Sequence, residues 1–249
     1  MNQCSCLLLL LLISVSAFCQ ADFKSKQLAY NRVKEAYQEK EAYIKQLFAA
    51  KDIDLANANI FLRAFKKEKI LEIWAKPHNR NTYQFITTYP VCAISGNPGP
   101  KRFEGDYQIP EGFYYIDRFN PQSNFHLSLG INYPNASDKI LGLKGKLGGD
   151  IFIHGSCVTV GCLPMTDNLI KEIYVIAVEA RSHGQAQIPI HIFPAKMNDE
   201  NFASLQKVFG TDKTMASFWT ELKKGYDLFE NNRKLPIISI TSEGMYAYK

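Results

Sequence analysis

The run Ile60-Phe61-Leu62-Arg63-Ala64-Phe65-Lys66-Lys67-Glu68-Lys69-Ile70-Leu71-Glu72-Ile73-Trp74-Ala75 reads as two short strands joined by a charged link. β-Branched and aromatic residues dominate both halves, and Lys66-Lys67-Glu68 between them suits a tight, solvated turn. A third strand is expected over Thr82 to Thr88, after the turn-prone Pro77-His78-Asn79-Arg80-Asn81. The Gly/Pro-rich stretch Ser95 to Pro100 follows, then strands at Phe113 to Ile116, Phe125 to Leu129, Asp150 to Ile153 and Ile188 to Phe193. Strands this short and this often interrupted predict a twisted β-sandwich or barrel rather than a doubly wound α/β sheet.

Helices are expected on either side of this β-rich core. Residues 23–50 carry Leu28, Val33, Ala36, Tyr37, Ala42, Tyr43 and Leu47 at near-helical spacing with no Pro or Gly, which predicts an amphipathic helix or helical hairpin. Thr166 or Asp167 can cap a helix running to about Ser182. Residues 199–230 suggest two further helices, and Pro236 to Tyr248 a hairpin around Gly244. The fold class expected is therefore α+β: a β-rich sandwich or barrel with an N-terminal helix and C-terminal helices. Its parts are residues 1–20, 21–57, 58–195 and 196–249.

The first twenty residues indicate the compartment. Leu7 to Val15 is apolar apart from Ser14, and no charged side chain occurs before Asp22. That run is short for a bilayer span and fits a secretory signal peptide over residues 1–20, cleaved after Cys19 or Gln20. Phe18 before Cys19 disfavours a lipoprotein signal. The expected location is the periplasm or cell envelope. The remaining chain is large enough to bury a core, and 46% hydrophobic with 21% charged residues is ordinary for a globular protein. A net charge of +5 spread along the chain gives no concentrated groove for nucleic acid. No signal bears on the oligomeric state.

Chemistry concentrates in Ile153-His154-Gly155-Ser156-Cys157-Val158-Thr159-Val160-Gly161-Cys162. A thiol becomes a nucleophile as the thiolate, and an imidazole nearby can take its proton. Gly161 ahead of Cys162 lets backbone amides approach a developing oxyanion. Cys157 is the rival nucleophile, disfavoured because no Gly precedes it. Cys4, Cys6 and Cys19 fall in the leader, leaving Cys92, Cys157 and Cys162 as one pair plus a free thiol or as three thiols. A Cys92–Cys157 disulfide would leave Cys162 free. A zinc site from His154, Cys157 and Cys162 lacks a fourth ligand, so no metal or cofactor is expected. His78, His183 and His191 have no partner nearby in sequence and are most simply structural.

With these residues in view, the chain resembles the L,D-transpeptidase catalytic-domain (YkuD-type) family, and within it the YafK-like branch. The similarity extends beyond His154-Gly155 and Gly161-Cys162. It includes Tyr89-Pro90-Val91-Cys92-Ala93, Gly99-Pro100-Lys101-Arg102, Glu104-Gly105-Asp106, Pro110-Glu111-Gly112, Phe125-His126-Leu127-Ser128-Leu129, Tyr133-Pro134-Asn135, Met165-Thr166-Asp167 and Ile188 to Pro194. It is strong over residues 58–195 and loose in the tail.

The resemblance implies a catalytic domain acting on diaminopimelate-containing peptidoglycan stem peptides. Cys162 would form a thioester, His154 would be its base, the Gly155 carbonyl would orient the imidazole, and amides near Val160, Gly161 and Cys162 would receive the oxyanion. An amine acceptor makes the chain a transferase; water makes it a hydrolase or amidase, with wall-linked lipoprotein as a further partner. A non-catalytic wall-binding module is the third reading. His126, beside Ser128 and Tyr133, could line the substrate groove, Thr159 could support the oxyanion loop, and Lys101, Arg102 and Tyr107 could meet substrate carboxylates. The chain departs from the broad pattern at Val160, where a second His is usual, and at Leu163-Pro164, which replace a basic residue.

Overall fold

The computed structural model describes residues 23–249; the signal-peptide expectation lies outside them. After a helical turn over residues 23–28, α1 (Asn31–Ala49) leads through a 3-10 turn into a meander of β1 (Ala58–Phe65), β2 (Ile70–Pro77) and β3 (Gln84–Pro90). A long loop reaches β4 (Gly112–Asn120), followed by β5 (Ser128–Ile131), α2 (Ala136–Leu141), β6 (Phe152–His154) and β7 (Leu163–Pro164). Then come α3 (Asp167–Ser182), β8 (Ile188–Phe193), α4 (Asp199–Phe209), α5 (Lys213–Asn232) and the hairpin β9 (Ile238–Ile240) and β10 (Tyr246–Tyr248).

The β-rich α+β architecture read from the sequence is realised as one curled, half-barrel sheet of eight strands, in the order β3-β2-β1-β8-β4-β5-β6-β7. Two of its joins are parallel, β1 with β8 and β6 with β7. Alternation along each strand sorts side chains onto two faces. Ile60, Leu62, Ala64, Ile73, Tyr114, Ile116, Leu129, Ile153, Leu163 and Ile190 point to one face, beneath α1 and α3. Burial of nearly every position of α3 explains why its apolar residues go all the way round. Helix α1 lies over α3 and joins it through Tyr37 Oη to Glu179 (2.7 Å) and Lys40 to Glu172 (3.2 Å).

The other face is covered only in part. Phe61, Phe65, Phe113 and Phe193 meet α5 and the terminal hairpin through Phe218, Trp219, Tyr226, Phe229 and Tyr246. Two buried cations fasten that layer. Arg63 bridges Glu72 (2.7 Å) and Glu230 of α5 (2.5 Å). Lys66 contacts Glu111 at 2.8 Å, and Glu111 accepts from Trp219 Nε1 at 2.7 Å.

His191 sits in the aromatic layer, edge-on to Phe61 (4.5 Å) and Phe113 (4.6 Å), only 4% exposed, with Nδ1 lacking a hydrogen-bond partner. Burial, reinforced by the Arg63 charge, pulls its pKa down to about 3. The folded state therefore refuses a proton that the unfolded chain accepts below about 6.5, so stability is full above that pH and drains as pH falls towards 3. Between pH 6.5 and 4 the loss attributable to His191 is about 3 kcal/mol. Urea melts of wild type and His191→Leu check this: the pH slope flattens in the variant, and equal slopes would refute it.

Candidate active site

Strand β6 delivers His154 at its end, and β7 begins just after Cys162. Their parallel register sets Ile153 opposite Leu163 and His154 opposite Pro164. Ile153 and Leu163 are core residues, so Phe152, His154 and Cys162 fall on the opposite face, where His154 is buried, Phe152 and Cys162 are half-buried, and Cys162 is level with Phe152. Among the described residues, Cys162 is the free thiol, half-buried, while Cys92 and Cys157 are joined in a disulfide. In the resting arrangement the Cys162 thiol donates to the Asp150 carbonyl at 3.7 Å.

The imidazole is held on two sides. His154 Nδ1 lies 2.5 Å from the carbonyl of Gly155, which fixes that nitrogen as the protonated one and leaves the Nε2 lone pair free. The ring of Phe125 lies over it with centroids 4.7 Å apart. Gly155 is required by close approach. A Cβ there would stand 2.6 Å from Asp167 Oδ1 and 2.8 Å from the Phe125 carbonyl. Asp167, the first residue of α3, also accepts from the Ser156 amide at 2.8 Å. In the sequence Asp167 stands out as a helix cap and as part of the family-like Met165-Thr166-Asp167; its contact with Ser156 spans eleven residues and leaves no local pattern.

The loop between the two groups is tied down by hydroxyls. Thr159 Oγ1 accepts from the Cys162 amide (2.9 Å) and donates to the Cys162 carbonyl (2.8 Å). The Gly161 amide donates to Ser95 Oγ at 2.7 Å. Two of the three amides expected to receive an oxyanion are thus engaged by side chains in the resting state. Ser95 carried no signal in the sequence, because its partner is 66 residues away. Gly161 adopts φ +95°, a conformation L side chains rarely take, with the Gln108 carbonyl close by.

The other expected site residues divide. His126 stands next to Phe125 in a left-handed conformation (φ 68°), with Nε2 buried and unpartnered. Its imidazole is pulled below the usual value, mainly by burial. Lys101 is buried, held by Asp106 (2.7 Å) and the Phe103 carbonyl (2.8 Å). Arg102 pairs with Asp138 at 3.3 Å and lies over the Phe218 ring. Tyr133 is buried and donates to the Leu147 carbonyl. Lys101, Arg102 and Tyr133 therefore serve internal contacts in this state rather than facing a substrate, whereas Tyr107 is exposed. Val158 and Val160 are also exposed, bracketing Thr159. No cluster of three or more His, Cys, Asp or Glu among the described residues could hold a metal, and no described helix is long and apolar enough to cross a membrane.

Burial pushes the Cys162 thiol above the usual range; the Phe152 backbone and the Lys101 charge oppose this, and Asp150 adds to it. Burial pulls the His154 imidazole down, partly offset by its Gly155 hydrogen bond. Both shifts favour neutral thiol beside neutral imidazole over an ion pair at rest. Alkylation of Cys162 by iodoacetamide is then slow at pH 7, where the neutral thiol predominates. The rate should climb close to tenfold per pH unit into the alkaline range. A rate already at its plateau at pH 6 would mean an ion pair.

The stretch of chain that carries this histidine and this free cysteine lies within a match to a known family. The chain belongs to the L,D-transpeptidase catalytic-domain family (YkuD), whose pattern matches residues 62–190. Its general activity is L,D-transpeptidase-type remodelling of peptidoglycan. Within the family it stands close to the YafK-like branch. It is 35% identical over 190 residues to the Escherichia coli (strain K12) protein described as "Putative L,D-transpeptidase YafK", spanning 76% of this chain and 73% of the relative. The Escherichia coli O157:H7 counterpart matches to the same extent. Among solved structures, the helical cell shape determining protein Pgp2 of Campylobacter jejuni aligns with TM-score 0.44 and 19% identity, covering 74% of this chain and 73% of that one. Bd1075 of Bdellovibrio bacteriovorus aligns with TM-score 0.41 and 22% identity over 70% of this chain and 63% of that one.

Proposed function

We propose that the protein is an exported enzyme that cleaves and rejoins diaminopimelate-containing stem peptides through a thioester on Cys162. The observation that carries this reading is the orientation of His154: Nδ1 is committed to the Gly155 carbonyl, so Nε2 is the acceptor available to the thiol on the same face. For the reaction the thiol gives up the Asp150 carbonyl for that nitrogen. As Sγ attacks the peptide carbonyl on the L-centre, its proton passes to Nε2. The C–N bond then breaks, and the same proton leaves with the departing amine, typically D-Ala. In the second half an amine from a neighbouring peptide attacks the thioester, gives a proton to Nε2, and the thiol is restored. The oxyanion is received by the Val160 to Cys162 backbone once the Ser95 or Thr159 hydroxyl yields an amide to it.

A specific observation favours a second reading, capture of the thioester by water. Lys101 and Arg102 are paired with Asp106 and Asp138, and Leu163-Pro164 follow the nucleophile, so no free cation stands at these positions to clamp a peptide carboxylate. An enzyme of that kind would trim crosslinks or release wall-linked lipoprotein.

Mass spectrometry of muropeptides, including lipoprotein-linked ones, incubated with the mature protein tests both. New crosslinked or D-amino-acid-exchanged products that vanish with Cys162→Ala support transfer. Shortened peptides or freed lipoprotein without new links support hydrolysis. Products that persist with Cys162→Ala overturn the thioester mechanism.

A further inference from the structure

We propose that Arg32, in the first turn of α1, is a positioning residue for His154 and acts through Phe125. Its Nη1 donates to two main-chain carbonyls, Ser123 at 2.6 Å and His126 at 2.8 Å, which bracket Phe125 in sequence. Phe125 is 43% exposed, so the core does not hold its ring in place, yet that ring lies against the imidazole. The same short loop supplies the Phe125 carbonyl that crowds Gly155 and the Leu127 carbonyl that accepts the Gly155 amide at 3.2 Å. One guanidinium therefore fixes the loop that covers the imidazole and abuts the peptide that orients it. This gives the N-terminal helix a role in the chemistry, 94 residues in sequence from the loop it grips. Helix α1 is itself held by Lys171 of α3, which pairs with Glu35 and Glu39. The charged groups around the strut are thus Glu35, Lys171 and Asp167 besides Arg32 itself.

A guanidinium suits this task because the two N–H groups of its one Nη1 are fixed in the guanidinium plane, one for each carbonyl, whereas an ammonium's donors rotate. Without it, the loop carrying left-handed His126 has fewer fixed contacts and Phe125 is free to swing into solvent.

The inference rests on His154 being the base of the Cys162 reaction, so its test includes a readout that needs no turnover. In the substrate-free protein, NMR of the His154 ring protons reports the Phe125 ring current. Arg32→Ala is expected to move those signals towards unstacked values, as Phe125→Leu does directly, with Arg32→Lys intermediate. In turnover, Arg32→Ala and Phe125→Leu should each lower kcat about tenfold with KM changed less than twofold, and the double variant should be no worse than either single. Unmoved His154 signals in Arg32→Ala, or losses that multiply in the double variant, overturn the proposal. Should Arg32→Ala fold poorly, Arg32→Lys and Phe125→Leu carry the same comparison. Full turnover by Cys162→Ala would instead sink the reaction assigned above, leaving the NMR result to judge the strut by itself.

Discussion

Cys162→Ala is expected to lower turnover of muropeptide substrates by about 10⁴-fold or more, the scale on which loss of a covalent nucleophile acts. The fold should survive. Only a half-buried sulfur is removed, its hydrogen bond to the Asp150 carbonyl is long, and the loop is held through the Thr159 hydroxyl and the Cys92–Cys157 disulfide. The melting point should stay within a few degrees of wild type. His154→Ala should be equally inactive, and the double variant no worse than either single, because a base without its nucleophile has nothing to activate. Intact-mass spectrometry of wild type with a stem peptide should reveal an adduct that hydroxylamine removes and that Cys162→Ala never forms. An adduct on another residue would overturn the assignment.

Lys66→Met should produce the largest loss of stability, about 3–5 kcal/mol. Glu111 has 0% exposure and Lys66 4%. The three N–H groups of the ammonium also have the carbonyls of Gly99 (2.9 Å), Asn97 and Ile109 (3.2 Å each) within reach, so it ties the middle of the long loop before β4 to its end. With the cation gone, Glu111 would keep only the Gly99 amide and Trp219 Nε1, and a buried carboxylate so left is costly. Restoring neutrality with Lys66→Met/Glu111→Gln should recover at least half of the loss. Guanidinium melts of the three proteins measure this. A single-variant loss below about 1 kcal/mol would mean that the pair contributes no more than a surface bridge.

Much of this architecture could be read without coordinates, for identifiable reasons. The helix capped by Thr166 and ending at Ser182 is legible because its cap, apolar run and stop are all local. The same holds for Ile188–Phe193 and for the hairpin around Gly244. Strand β5 begins at Ser128 rather than Phe125. Phe125, Leu127 and Leu129 alternate like a strand, but the left-handed turn at His126 breaks the pleat, and a histidine there gives no composition signal. In the candidate site, His154 and Cys162 stand out because they are close in sequence and each adjoins a glycine. The Ser95 hydroxyl, the Arg32 strut and the locking of Lys101 by Asp106 do not, since each depends on how loops meet in three dimensions. Residue type alone suggested that Lys101 and Arg102 are free cations; their acidic partners lie in sequence but are not marked as partners until the loops fold.

The place of β8 has a consequence for assembly. It lies between β1 and β4 and is the last strand of the large sheet to be synthesised, pairing parallel with residues 62–65 on one side and antiparallel with residues 112–116 on the other. Until residue 193 exists, the chain can hold a β1–β2–β3 meander and a separate patch around β4 and β5, each with a bare hydrogen-bonding edge. Closing the gap requires contacts between segments about 130 residues apart, non-local pairing of the kind that slows folding. A single six-residue strand thus acts as the keystone, and a chain ending ahead of it would present two sticky half-sheets instead of a smaller enzyme.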